Sequence, residues 1–146
     1  MQLTRAADYA VRVAIHLAAR PAGTRVKLDA MAEAADVPLH FLSKVLQALT
    51  RARLIVAHRG TNGGFSLAVP AEQLTVLHVV EAVEGPMRLN TCLSPKGCSR
   101  QGWCPAHMVW VEAQAALTQV LKNASIAKLA SAGGQPRQDE VIYPWN

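Results

Sequence analysis

The stretch Leu39-HFLSKVLQALTRARLIVAHRGTNGGFSLA-Val69 decides the fold. In its first part, Leu42, Val45, Leu46 and Leu49 recur at helical spacing, which predicts a helix over about Leu39 to Arg53 with one buried face. The other face carries His40, Ser43, Lys44, Gln47 and Arg51. From Leu54 the pattern changes to strand, glycine-rich turn, strand. Arg59-Gly60 and Gly63-Gly64 bracket Asn62, supplying residues that tolerate positive φ at a hairpin tip.

Working outward, Asp36-Val37-Pro38 is a tight connection, with Pro38 suited to a helix start. Before it, a short helix is predicted from Leu28 to Ala35, with Asp29 near its beginning. Thr4 can cap a first helix in which Tyr9, Val13, Leu17 and Val11, Ile15, Ala18 recur at helical spacing, ended by Pro21 and Gly23. Two short helices joined by a three- or four-residue turn make a helix-turn-helix. A basic hairpin straight after it is the sequence form of a winged helix. The chain is therefore expected to be mainly α, with a small β-hairpin wing.

Charge supports that module. Residues 1–70 hold nine Lys/Arg against four acids, the whole of the +5 excess, whereas residues 71–146 hold six of each sign. A basic first half suits a partner made of phosphates, and with the helix-turn-helix that partner is expected to be double-stranded DNA. The helix from Leu39 would enter the major groove with His40, Ser43, Lys44 and Gln47 nearest the bases. Lys44, Arg51 and Arg59 would neutralise phosphates, and His58 with Arg59 would lie on the wing.

Downstream, Thr75 opens a helix through Val76, Val79, Val80, Ala82 and Val83, stopped by Gly85-Pro86. A loop with Pro95, Gly97 and Gly102 follows. From about Pro105 a long helix runs to Lys122, with an apolar stripe of Trp110, Ala113, Leu117, Val120 and Leu121. Ser125 caps a last turn or two from Ile126 to Leu129. The stripe is too broad for so small a DNA module to cover, so it predicts a two-fold homodimer that presents two winged helices about 34 Å apart. The expected organisation is a winged helix-turn-helix domain at 1–85, a cysteine-rich loop at 86–104, a dimerisation helix and short C-terminal helix at 105–132, and a flexible tail at 133–146.

All three cysteines of the chain lie in that loop, in Thr91-CLSPKGCSRQGWCPAH, with His107 three residues after the last. Cys92, Cys98, Cys104 and His107 give the spacing C-x5-C-x5-C-x2-H. Thiolates are soft ligands, so the cluster reads first as a metal or iron–sulfur site. Three cysteines and a histidine also make a closed zinc set, although the C-x2-4-C knuckle common in zinc sites is absent. A metal-free switch, in which the thiols oxidise to sulfenate or disulfide, is the third reading. The odd thiol count, the absence of an apolar run long enough to span a bilayer and the lack of a signal-peptide pattern imply a cytoplasmic protein with no membrane partner. Catalysis finds no support: Arg59-GTNGG lacks the phosphate-loop pattern, and no G-x-S-x-G elbow occurs.

The opening Met1-QLTRAADYAVRVAIHLA, the block LSKVLQALTRARLIVAHRGTNGGFSLA and the three-cysteine loop before a long helix together resemble the IscR/NsrR/RirA family (the Rrf-two family). These are bacterial winged-helix transcription regulators that carry an iron–sulfur cluster. The resemblance spans about residues 1–132 and implies a dimeric repressor or activator whose operator affinity depends on the cluster, sensing redox state, nitric oxide or iron and cluster status. Cys92, Cys98 and Cys104 match the family's cysteine ligands. His107 resembles the fourth ligand of IscR-like members, which hold a 2Fe–2S cluster. Asp8 resembles the ligand that NsrR-like members donate across the dimer to a 4Fe–4S cluster. His107 is preferred, and 2Fe–2S with it, because an i+3 spacing from Cys104 near a helix start puts both side chains on one face. Asp8 has a rival duty at its helix N-terminus. IscR-like members carry a glutamate where Ser43 stands, which leaves the operator sequence open.

Overall fold

The computed structural model describes residues 2–133, so the tail expected at 133–146 lies outside the described residues except for Gly133. Helix α1 (Arg5–Ala18) starts where Thr4 Oγ1 accepts the Ala7 N–H at 3.3 Å. Its buried face is Ala7, Ala10, Val13, Ala14 and Leu17, while Tyr9, Val11, Ile15 and Ala18 are half-buried at its margins. The small alanines, which hydropathy counts as weak, let α1 lie close against its neighbours.

Helices α2 (Leu28–Ala34) and α3 (Leu39–Arg51) form the helix-turn-helix, and α3 buries the four residues the periodicity selects: Leu42, Val45, Leu46 and Leu49. Both helices stop by the same device. Asp36 (φ 51°) and Arg53 (φ 60°) adopt the left-handed conformation just past each end. The N–H groups of Asp36 and Val37 then reach the carbonyls of Glu33 and Ala32, and those of Arg53 and Leu54 reach Thr50 and Leu49. This closure ends α3 two residues before the limit expected at Arg53.

Strands β1 (Ile55–His58) and β2 (Gly64–Leu67) pair antiparallel, from Ile55↔Leu67 to His58↔Gly64. The wing has a third member that the pattern did not reveal. Val26 bridges Phe65 through two backbone hydrogen bonds of 2.9 Å. This close approach explains the second glycine of the pair, since a Cβ on Gly64 (φ 145°) would stand 2.7 Å from the Val26 carbonyl oxygen.

Helix α4 (Val76–Glu84) begins with a reciprocal cap between Thr75 and His78 and ends at Gly85 (φ 78°). A single 3-10 turn, Thr91–Leu93, interrupts the cysteine loop before α5 (His107–Asn123) and α6 (Ile126–Ser131). The long helix thus starts two residues later than expected. Helix α6 turns back onto α1, and its Ile126 is fully buried in one core with Met31, Leu42, Leu46, Leu49, Leu74 and Val79. Backbone bonds clamp this return: Val76 N–H to Ala124 at 2.9 Å and Ile126 N–H to Leu74 at 2.8 Å. Among the described residues no helix is long and apolar enough to cross a membrane.

Candidate functional site

Two sets of functional side chains result. The first is the outer face of α3 with the wing. His40, Ser43, Lys44, Gln47 and Arg51 are all exposed, because the i, i+3, i+4 pattern of the leucines and Val45 turns the opposite face to solvent. Arg59 is exposed beside the hairpin tip. Among the described residues the ion pairs involve Arg12 alone, with Asp8 at 2.8 Å and Asp36 at 3.6 Å. Lys44, Arg51 and Arg59 form no ion pair with the described carboxylates. His58 is placed differently: half-buried, its Nε2 is 2.8 Å from the Oγ of buried Ser66, a cross-strand bond that fixes the hairpin. Sequence reasoning missed Arg25 and Lys27, which flank Val26 where it bridges to the wing. An alternation of basic, apolar and basic residues was the available signal.

The second set is the loop. Cys92, Cys98, Cys104 and His107 come together around one pocket of about 230 Å³, whose other walls include Arg100, Gln101 and Trp110. The thiols are free, and Cys98 is the exposed one. The Arg100 N–H points at Cys98 Sγ at 3.3 Å, a donor suited to a thiolate. Gly97 (φ 60°) and the 3-10 turn bend the chain so that thiols six residues apart share one cavity. His107 is the first residue of α5, and its Nδ1 is buried with no hydrogen-bond partner among the described residues. A buried lone pair or N–H without a partner is costly, and a ligand in the pocket would relieve that cost. The donor set of three free thiols and an unpartnered imidazole nitrogen fits an iron–sulfur group. Among the described residues no three His, Cys, Asp or Glu side chains are gathered within reach of a single ion.

Asp8 is not in this pocket within one chain; it sits a turn into α1, bonded to Arg12. Gln114, which the sequence did not single out, holds the start of the loop onto α5. Its Oε1 accepts the Leu89 N–H at 2.8 Å, and its Nε2 donates to the Met87 carbonyl at 3.1 Å. Helix α5 has no buried residue, with Met108, Val109 and Val120 at 59, 58 and 65% exposure. Of the expected stripe, Trp110, Ala113 and Val120 are exposed, and Leu117 and Leu121 are half-buried.

A helix-turn-helix with an uncompensated basic face and a hairpin wing defines a DNA-binding transcriptional regulator. The comparisons agree and make the class specific. The model of the Rrf2 family, described as an iron-dependent transcriptional regulator, matches residues 3–132. The chain belongs to that family, which is one of regulators and not of enzymes. It is 32% identical over 131 residues to an HTH-type transcriptional regulator of Mycobacterium tuberculosis, covering 89% of this chain and 81% of that one. It is 27% identical to the HTH-type transcriptional regulator IscR of Sodalis glossinidius, covering 90% and 79%. Among solved structures it resembles CymR, the global cysteine regulator of B. subtilis (TM-score 0.75, 21% identity, 92% of this chain and 99% of that one). It also resembles IscR of T. potens (TM-score 0.74, 18% identity, 96% and 93%). At these identities the two structures speak for the fold.

Proposed function

We propose that this regulator acts in the cytoplasm as a homodimer whose affinity for operator DNA is set by an iron–sulfur group held by Cys92, Cys98, Cys104 and His107. The observation that carries the reading is the buried, unpartnered Nδ1 of His107 on the wall of a pocket that the only three thiols of the chain also line. When bound, such a group supplies redox and ligand-exchange chemistry, with imidazole ligation raising its potential. The 2Fe–2S form follows from His107 as fourth ligand, and Asp8 donated by a partner subunit with a 4Fe–4S group is the alternative. The volume of the pocket and the dispersion of its four donors favour a multi-atom group over a lone zinc ion.

His107 opens α5, and Gln114 fastens the loop to the same helix, so the state of the pocket bears directly on the helix whose exposed apolar face suits a second copy. At the other end, Ser43 and Gln47 would read base edges while Lys44, Arg51 and Arg59 neutralise phosphates. His40 stands at the helix start nearest the groove, and His58 braces the wing.

The test is anaerobic purification followed by absorption spectroscopy and iron and sulfide assay. Brown protein with equal iron and sulfide is expected, with Cys92→Ser losing the colour and His107→Ala altering it where Asp8→Ala does not. Colour loss in Asp8→Ala alone would move the fourth ligand to Asp8. Colourless protein with stoichiometric zinc, or operator binding that follows thiol oxidation without iron, would overturn the iron–sulfur reading.

A further inference from the structure

The wing holds a second basic element with no part in that mechanism. Residues 25–27 run along β2, with Val26 buried and paired to Phe65. Because side chains alternate along an extended chain, this pairing commits Arg25 and Lys27 together to the face opposite Val26, where both are exposed. Arg25 Nη1 donates to the Asn62 carbonyl at 3.2 Å, which aims the guanidinium at the hairpin tip while using one of its five donors. Between strand and tip lies a pocket lined by Gly23, Arg25, Lys27, Asn62 and Gly63. Two of its walls are glycines, so no side chain bars approach to them, and no carboxylate lines it. Asp29, the nearest acid in sequence, forms no ion pair with Lys27.

We propose that this pocket seats a backbone phosphate of the operator, gripped by Arg25 and Lys27, so that the wing clamps the DNA strand with two cations besides Arg59. The proposal rests on the reading of α3 and the wing as the DNA face. Phosphate is the chemistry that matches: an anion with several acceptor oxygens, met by a fork of guanidinium donors and a point-charge ammonium. A contact of this kind adds affinity without sequence preference and shows itself in salt dependence.

The experiment measures binding by fluorescence anisotropy to a duplex enriched from a random pool by the wild-type protein, between about 50 and 200 mM salt. Lys27→Ala and Arg25→Ala should each make the log–log salt slope shallower by about one unit per bound protomer. Over that range the wild type then loses about three- to four-fold more affinity per protomer than either variant. Arg25→Lys, which keeps the charge, should retain the wild-type slope. Lys128→Ala on α6 serves as a remote control with no expected change. Lys27 makes no side-chain hydrogen bond or ion pair among the described residues, so its removal tests charge without reshaping the wing. Wild-type slopes for Lys27→Ala and Arg25→Ala, alongside flattened slopes for Lys44→Ala and Arg51→Ala, would overturn the pocket and leave the DNA face standing. Unchanged slopes for all four would instead remove the DNA face itself. An Arg25→Lys slope as shallow as that of Arg25→Ala would strip Arg25 of its phosphate role.

Discussion

The DNA-reading half and the thiol-bearing half of this chain are built on opposite terms. The first closes its own core: α1, α3, α4, β1 and α6 each supply residues that are almost wholly buried, from Val13 to Ile126. The second buries no residue of its long helix. Helix α5 is the longest in the structure and leaves Met108, Val109, Trp110 and Val120 in solvent, and the pocket at its start keeps a buried nitrogen unpartnered. The DNA-reading half thus completes its core within one chain, whereas the loop keeps an unpartnered nitrogen and α5 an exposed apolar face, which a ligand and a second copy would cover on the proposed reading. On the proposed reading, this separation would let a ligand and a second copy alter the placement of the DNA-reading half without unfolding it.

Substitutions in the two halves should therefore fail differently. Leu46→Ala should cost about 2–5 kcal/mol of stability, seen as a lowered midpoint in urea unfolding. Val109→Glu with Val120→Glu should leave the helical signal intact but raise the dissociation constant of the proposed dimer ~100-fold or more, equivalent to about 3 kcal/mol; sedimentation velocity checks this, and an unchanged constant would place the interface elsewhere. Gly64→Ala sets a Cβ against the Val26 carbonyl at positive φ and should cost about 1–3 kcal/mol, with operator binding weakened as the wing distorts. Gln114→Ala removes the bonds to Met87 and Leu89 and should cost only about 0.5–1.5 kcal/mol. Its clearer mark is faster amide exchange at Leu89, and unchanged exchange there would deny Gln114 its anchoring role.

The smallest effect belongs to pH. Burial, and after it the Arg20 guanidinium, hold the His16 imidazole below its ordinary value of 6.5. The unfolded chain then binds the proton first, so the contribution of His16 to stability is full above about pH 6.5 and declines as pH falls through the lowered folded value. His16→Gln should flatten that acid limb in thermal melts taken across this range. A limb as steep as that of the wild type would assign the acid sensitivity to other groups.

What the sequence made legible follows a physical line. Local signals carried through: the buried residues of α3, the caps Thr4 and Thr75 and the stop at Gly85 depend on neighbours within a turn or two. The four candidate ligands were legible because they are close in sequence and chemically rare, and the bend that brings them around one pocket uses the glycine already noted at Gly97. What escaped depends on distant partners. Val26 pairs with Phe65 across 39 positions, and its single bridge leaves no strand-length pattern. The bond of His58 to Ser66 escaped as well, since it crosses diagonally to the opposite strand, where Gly64 is the direct partner of His58. Ile126 lies among residues read as an appendage, and only the return of α6 puts it in the core with Leu74. The ends of α2 and α3 escaped for another reason, because Asp36 and Arg53 hold a conformation usually given to glycine or asparagine.

The backbone clamp at Ala124 and Ile126 has a mechanical consequence. It fixes the far end of α5 to the DNA-reading half, so on the proposed sensing role the helix would act as a lever pivoting there and loaded at His107. Seventeen residues make a rod of about 25 Å. A tilt of about 5° about such a pivot carries the free tip through about 2 Å, the scale of helix shifts at switching interfaces. Run in reverse, a displacement of that size at the loop would rotate the pivot, and with it the DNA-reading half clamped there, by an angle fixed by the length of α5. The gearing between the two halves would then be a property of helix length, and inserting one full turn into α5 would reduce the rotation per ångström by about a sixth.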